Sequence, residues 1–173
     1  MRAGFTSPDS RAVEIDGKLE PDEWRDAKSV SEFRNVVPLT GDPASLATEG
    51  WILATPQGLA VAFRNHHPAS VPRTEQRVQR DFEEEVDRVN VMIDFDGDGR
   101  VGHAFTLSST GGIYDAIISN ERDFNEDWDG NWRHAVLRAA NLSLAASQAA
   151  CYHVCRRSLR ARTSDLQHER QAS

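Results

Sequence analysis

Cysteine is scarce in this sequence of 173 residues, which holds only Cys151 and Cys155, in a C-x3-C spacing. Without a second pair, this spacing supports neither a disulfide framework nor a structural zinc site. Long apolar runs are also missing, and none approaches the ~18 residues that a membrane-spanning helix needs. The opening residues 1–8 lack the apolar stretch of a secretory signal. We therefore expect inert thiols, no transmembrane segment and no secretory signal within the chain.

Positive charge is in short supply as well, since 20 basic residues face 27 acidic ones and the net charge is -7. A field of that sign repels phosphate backbones and anionic lipid surfaces, so we expect no nucleic-acid partner.

The sequence shows no Ser-His-Asp or Cys-His arrangement and no phosphate-binding loop. The acidic run Glu83 to Glu85 is more typical of a solvated face than of an acid and base pair. Catalysis by this chain is therefore not expected.

What the sequence does contain is alternation of apolar and polar residues, which is typical of strands with one buried face. Asp-Gly and Gly-Gly pairs separate the alternating stretches as turns. The stretches are 12–15, the two arms around 55–58, 88–95, 101–107 and 113–118. Because almost no helix is indicated and the length suits one domain, the sequence predicts an antiparallel β-sandwich with immunoglobulin-like layering.

The segment after the Asp16-Gly17 turn carries a different signal. Pro21 followed by two acidic residues favours a single helical turn. Trp24 comes next, and a Trp ring among charged neighbours removes a large apolar area from water when it is buried. We predict that Trp24 packs against the sheet.

The composition changes abruptly after Val136. The chain up to that residue holds 14 basic and 25 acidic residues, a net charge of -11, whereas the last 37 residues hold 6 Arg and 2 acidic residues, a net charge of +4. We therefore divide the chain into a flexible N-terminus (1–11), a sandwich (12–136) and an atypical Ala/Arg-rich tail (137–173). One interpretation of the tail is a weak helix through Ala139 to Arg162. The other is a C-terminus altered by a frame shift or by truncation of the gene, which would leave the sandwich incomplete, without its closing strands.

Several motifs follow one another in a suggestive order. The stretch IDGKLEPDEWRDA at 15–27 precedes an Arg-Asp pair at 80–81, the DGDG turn at 96–99 and WDGNW at 128–132. This ordered set resembles family 9 carbohydrate-binding modules and their relatives in the DOMON-like superfamily, in particular the module at the N-terminus of large bacterial envelope proteins. The resemblance covers roughly 13–136 and implies a DOMON-like sandwich. It also implies a secreted, periplasmic or outer-membrane-associated protein.

The resemblance further implies a glycan site that contains an aromatic pair. Trp128 and Trp132 lie in a polar stretch that leaves their rings partly exposed, and flat rings stack on the apolar face of a pyranose. Tyr114, Asp115 and Arg80 are candidate stacking or hydrogen-bonding partners for the sugar. The alternative is that both Trp rings pack against the sheet as determinants of the fold.

Two cofactors need consideration. Asp94, Asp96 and Asp98 match the first half of a calcium loop, and family members with structural calcium make calcium a candidate. The loop lacks the bidentate Glu at its twelfth position, and an Asp-Gly hairpin turn accounts for the same letters. Some DOMON relatives hold haem between a Met and a His, so Met92 and the histidines His66, His67 and His103 are candidate ligands. We expect His103 to be a core or rim residue instead.

These observations predict a monomeric, non-catalytic module that binds a polysaccharide or oligosaccharide. Such a module is normally attached to a glycoside hydrolase or to another secreted or envelope protein in carbohydrate catabolism. Two alternatives stay open. One is a structural or interaction module of a bacterial envelope protein without sugar affinity, and the other is a haem-binding DOMON-type domain.

Overall fold

The computed structural model describes residues 13–55, 57–73, 75–82, 85–120, 122–139 and 142–149, with the backbone path alone for 139 and 142–149. Nine strands and no helix are found within these residues. The strands are β1 (Lys28–Val30), β2 (Thr48–Thr55), β3 (Gly58–His66), β4 (Arg88–Ile93), β5 (Val101–Ser108), β6 (Ile113–Ser119), β7 (Asp123–Asn125), β8 (Trp132–Ala139) and β9 (Leu142–Ala149). The search of these residues for a helix long and apolar enough to cross a membrane finds none.

The strands form two antiparallel sheets. One has five strands in the order β1-β2-β3-β9-β8, and the other has four in the order β4-β5-β6-β7. The predicted all-β sandwich is therefore confirmed. Its main core lies between the sheets, where alternate residues of each strand point inward. The buried members of this core are Ile52, Ala54, Leu59, Val61, Phe63, Val89, Val91, Ile93, Phe105 and Leu107.

A smaller core covers the outer face of the five-stranded sheet. Val13 and Trp24 pack there against Leu53, Ala60 and Ala62, and Trp24 is only 6% exposed. The burial predicted for Trp24 is confirmed. The predicted first strand is wrong, because residues 13–15 belong to no strand. The predicted single turn is present, since the backbone N–H of Trp24 donates to the carbonyl of Glu20 and that of Ala27 donates to the carbonyl of Trp24. The apolar residues of this segment are explained by packing on the sheet rather than by pairing within it.

The weak helix predicted for the tail is wrong where the structure describes it. The boundary drawn at 136/137 falls inside β8, and residues 142–149 form a strand rather than a weak helix. This strand, β9, pairs with β3 on one side and with β8 on the other, so both sets of backbone groups are satisfied. Such pairing outweighs the high helix propensity of Ala. The expected loss of the closing strands is therefore not found, whereas residues 150–173 and the flexible N-terminus (1–11) lie outside the described residues.

Contacts from distant segments also tie the end of β8 to the sandwich. A Cβ atom added to Gly17, which has a φ of 84°, would lie 3.0 Å from the backbone nitrogen of Leu137. Arg138 donates to the carboxylate of Glu75 at 2.9 and 3.2 Å. Residues just beyond the compositional boundary thus contact the body of the domain.

We predict that Trp24→Ala lowers the free energy of unfolding by about 3–5 kcal/mol, because it empties a buried site of an aromatic ring. The matched control is Leu39→Ala, since Leu39 is 84% exposed and such a change is expected to cost less than about 0.5 kcal/mol. Urea denaturation followed by circular dichroism measures both. Equal stability of the two variants would show that Trp24 does not support the outer core.

Candidate functional site

Asp115 is a fully buried carboxylate at the centre of the candidate site. It lies on β6 directly opposite Phe105 of β5, and Phe105 belongs to the core between the sheets. Its Oδ1 atom accepts a hydrogen bond from Arg80 at 3.0 Å. Its Oδ2 atom accepts one from the indole Nε1 of Trp132 at 3.2 Å and one from the backbone N–H of Gly130. Because Trp132 begins β8, these bonds connect the two sheets.

Arg80 reaches Asp115 because its segment is held against the end of the β5–β6 hairpin. The backbone N–H of Asp81 donates to the carbonyl of Ile113 at 3.1 Å, and the hydroxyl of Thr110 donates to the carbonyl of Gln76 at 2.9 Å. A side chain on Gly112 would collide with this segment, since an added Cβ atom would lie 2.7 Å from the carbonyl oxygen of Val78. The hairpin and the segment therefore position the guanidinium group together.

Three carboxylates surround the guanidinium group of Arg80. It is paired with Asp115, with Asp81 at 3.2 Å from its Nε atom, and with Asp129. Burial alone would lower the pKa of Arg80, but the negative charges of Asp115, Asp129 and Asp81 outweigh it and raise the pKa above its usual value. Arg80 is therefore a permanent cation that is enclosed by anions.

The aromatic pair lies within a row of rings, with one Trp on each side of Phe105. Trp128 and Trp132 both meet Phe105 edge-on, with centroid distances of 5.9 and 5.5 Å, and both are half-buried. Trp128 also contacts His103 at 5.0 Å, and Trp132 contacts His134 at 5.3 Å. Edge-on contacts of this kind are favourable for aromatic rings. Each Trp thus has one part in the core and another part in solvent.

Gly130 lets the loop between the two Trp residues fold tightly. A Cβ atom at this position would lie 2.8 Å from Cη2 of Trp128 and 2.9 Å from Oδ2 of Asp115. No larger residue fits between the ring and the carboxylate without displacing one of them. The WDGNW motif therefore requires a glycine here for close packing.

Both imidazoles of the aromatic row have lowered pKa values. Burial lowers the pKa of His103, although the carbonyl of Ile93 and the charges of Asp96 and Asp94 act in the opposite direction. Partial burial, with a contribution from the positive charge of Arg80, lowers the pKa of His134. Both rings are therefore uncharged at neutral pH.

The structure brings together four of the five residues predicted for the glycan site, namely Arg80, Asp115, Trp128 and Trp132. Tyr114 does not join them, because neighbouring residues of a strand point to opposite faces of the sheet. Asp115 faces the core, whereas the hydroxyl of Tyr114 donates to Glu126 at 3.1 Å. The inclusion of Tyr114 is corrected on this ground.

The predicted calcium ligands form a hydrogen-bonded turn. The two carboxylate oxygens of Asp94 accept the backbone N–H groups of Gly97 and Gly99 at 2.7 and 2.8 Å, and Asp98 accepts that of Arg100 at 2.9 Å. Among the described residues, Asp94, Asp96 and Asp98 do not make up a group of converging ligands. The acidic group whose oxygens lie within 4.8 Å of one another is Asp81, Asp115 and Asp129, and Arg80 is paired with all three.

Of the residues considered for haem, Met92 and His103 lie on opposite faces of the four-stranded sheet. His103 pairs with Ile93 and contacts Trp128 on the core side, whereas Met92 alternates to the outer side of β4. A single haem iron therefore cannot bind both Met92 and His103. The expectation that His103 is a core or rim residue agrees with its half-buried position.

Sequence reasoning missed the roles of Asp129 and Gly130, although both stand inside the WDGNW motif. A charged residue next to a Trp and a glycine between two Trp residues were available as signals. Their partner Arg80, however, lies 49 residues from Asp129 along the chain, and no local pattern connects them.

Comparison of the chain with protein-family models, with curated proteins and with solved structures finds no match.

We predict that Asp115→Ala lowers the free energy of unfolding by about 1–3 kcal/mol, because it removes a buried hydrogen-bond acceptor of Arg80, which keeps Asp81 and Asp129 as partners. It also leaves the N–H groups of Trp132 and Gly130 without their acceptor. Asp127→Asn is the control, since it removes one negative charge from an exposed position in the nearby loop. Guanidinium denaturation compares the two variants with the wild type. Equal stability of both variants would contradict a central role for Asp115.

Proposed function

We propose that this β-sandwich is a non-catalytic carbohydrate-binding module whose glycan site is the surface around Trp128 and Trp132. The observation that carries the proposal is the pairing of two half-buried indole rings at one edge of the sandwich. The exposed part of such a ring stacks on the C–H groups of a pyranose without a charged partner. Two rings that share a contact with Phe105 provide a fixed platform for a sugar.

Polar groups stand beside this platform. Asp129 and Asn131 are exposed on either side of Gly130, and the ring of His134 contacts that of Trp132 at a tilt of 51°. Carboxylate, amide and neutral imidazole groups accept or donate hydrogen bonds to sugar hydroxyls. The combination of an apolar surface with short polar side chains is what a pyranose requires, since its faces are apolar and its edges are hydroxylated.

The platform is held in place before a ligand arrives. The bond from Nε1 of Trp132 to Asp115 fixes the orientation of that ring, and Gly130 fixes the approach of Trp128. A site of this kind loses little side-chain entropy on binding, which favours affinity. Its rigidity therefore supports a binding role, even though the two rings offer only a small contact area to a sugar.

A structural module without sugar affinity is the second candidate, and a specific observation favours it. The indole N–H of Trp132 is already used by Asp115, and both rings make T-shaped contacts with Phe105. Rings in this position also contribute to the core. The two candidates differ in whether the exposed part of each ring has a ligand.

We expect glucose, cellobiose or xylo-oligosaccharides at millimolar concentration to change the Trp fluorescence of the folded protein. Trp132→Phe keeps an aromatic ring on Phe105 but reduces the stacking surface, so we expect the affinity to fall about three- to tenfold. Trp51→Phe is the matched control, because Trp51 is half-buried on the opposite face of the five-stranded sheet, 5.1 Å from the guanidinium carbon of Arg64. It should leave the affinity unchanged.

Isothermal calorimetry with the same sugars gives a readout that does not depend on Trp emission. No heat and no change in fluorescence with any of these sugars, for a sample that circular dichroism shows to be folded, would favour the structural module. An equal loss of affinity in the Trp51 and Trp132 variants would place the binding site elsewhere.

A further inference from the structure

Arg80 is the cation of the candidate site, yet its charge is already neutralised. Its guanidinium group is paired with Asp115, Asp81 and Asp129, so three negative charges face one positive charge. The usual way for a protein to bind the carboxylate of an acidic sugar is a guanidinium group with free donors. At this site, the guanidinium group is already paired with carboxylates of the protein itself.

The three carboxylates differ in exposure. The side chain of Asp115 is fully buried and that of Asp81 is 34% exposed, whereas that of Asp129 is 74% exposed. Asp115 and Asp81 are therefore part of the folded framework. Asp129 is the partner that stands at the surface next to Trp128, where a ligand would meet it.

Among the described residues, no second cation next to the aromatic pair makes the surface there positively charged. His134 is uncharged at neutral pH, because burial and Arg80 lower its pKa. Arg133 alternates to the face of β8 opposite Trp132. The loop that carries Trp128 adds the exposed acids Glu126 and Asp127. The surface around the platform is therefore negatively charged.

On this charge distribution, and resting on the function proposed above, we infer that Asp129 is a specificity-determining residue that makes the site bind uncharged glycans and reject uronic acids. Asp129 accepts a hydrogen bond from the Nη2 atom of Arg80, and its negative charge repels a ligand carboxylate. Like-charge contact across an interface opposes the wrong partner, which is a recognised route to specificity.

The test compares two sugars that differ by one carboxylate, cellobiose and cellobiouronate, and repeats the comparison with xylotriose and glucuronate-substituted xylotriose. The wild type should bind the neutral member of each pair more tightly. Asp129→Asn should shift this ratio toward the acidic member by about threefold at low salt, which is the effect of one charge at about 6 Å in water. The shift should shrink in 0.5 M NaCl, where screening acts within about 4 Å.

Two control variants separate the contact with Arg80 from a general change of charge. Asp129→Glu keeps the charge and should keep the wild-type ratio. Asp127→Asn removes one charge from the same loop without touching a partner of Arg80, and it should shift the ratio less than Asp129→Asn. Equal shifts in the two Asn variants would overturn the assignment to Asp129.

The remaining outcomes distinguish this inference from the proposed function. Neutral sugar binding that depends on Trp132, with equal affinity of the wild type for the acidic sugar, overturns the inference and leaves the proposed function in place. Absence of binding for every sugar, in wild type and variants that are folded, overturns both.

Discussion

The burial of one carboxylate, that of Asp115, is the constraint on which the rest of the site depends. A carboxylate removed from water is costly unless charged or polar donors replace the lost hydration. Its three donors come from two separate parts of the chain, namely Arg80 and the WDGNW stretch that supplies the backbone N–H of Gly130 and the indole of Trp132. Because these parts must meet at one point, the loop before β8, the edge of the five-stranded sheet and the segment before β4 are fixed relative to β6.

This constraint also orients the two rings of the aromatic pair, which are both half-buried. The side of each Trp that meets Phe105 belongs to the core between the sheets. The remaining surface is available to solvent, and it is oriented by the same bonds that satisfy Asp115. A fold determinant and a binding platform are therefore compatible descriptions of the same residues, and only ligand measurements on variants that preserve the packing can distinguish them.

Local patterns predicted those parts of the fold whose partners are close in sequence. The hairpins β2–β3 and β4–β5 follow from alternation and turn residues, since strand partners that are joined by a short turn need no further information. Strand β9 could not be found in this way, because its Ala- and Ser-rich sequence has little strand preference and its partner β3 is about eighty residues earlier. Alternation along β6 could have excluded Tyr114 from a site that contains Asp115.

The site was predicted in part for the same reason. The WDGNW motif is local, so Trp128 and Trp132 were found, whereas the three partners of Arg80 were not recognised as a set. Asp115 and Asp129 lie 35 and 49 residues from Arg80, and a carboxylate that neutralises an arginine has no sequence signal distinct from one that is simply solvated. The charge of a candidate sugar site therefore depends on tertiary pairing, which the net charge of the chain does not reveal.

The chain's two compositional parts are joined by contacts that their sequences do not suggest. The turn at Gly17 packs on the backbone of Leu137, and Arg138 is paired with Glu75. Val13 and Trp24 cover the outer face of β2 and β3, the sheet in which β9 also pairs with β3. Because early and late segments of the described chain meet on this one sheet, a boundary drawn from composition at 136/137 divides a structural unit that the backbone hydrogen bonds hold together.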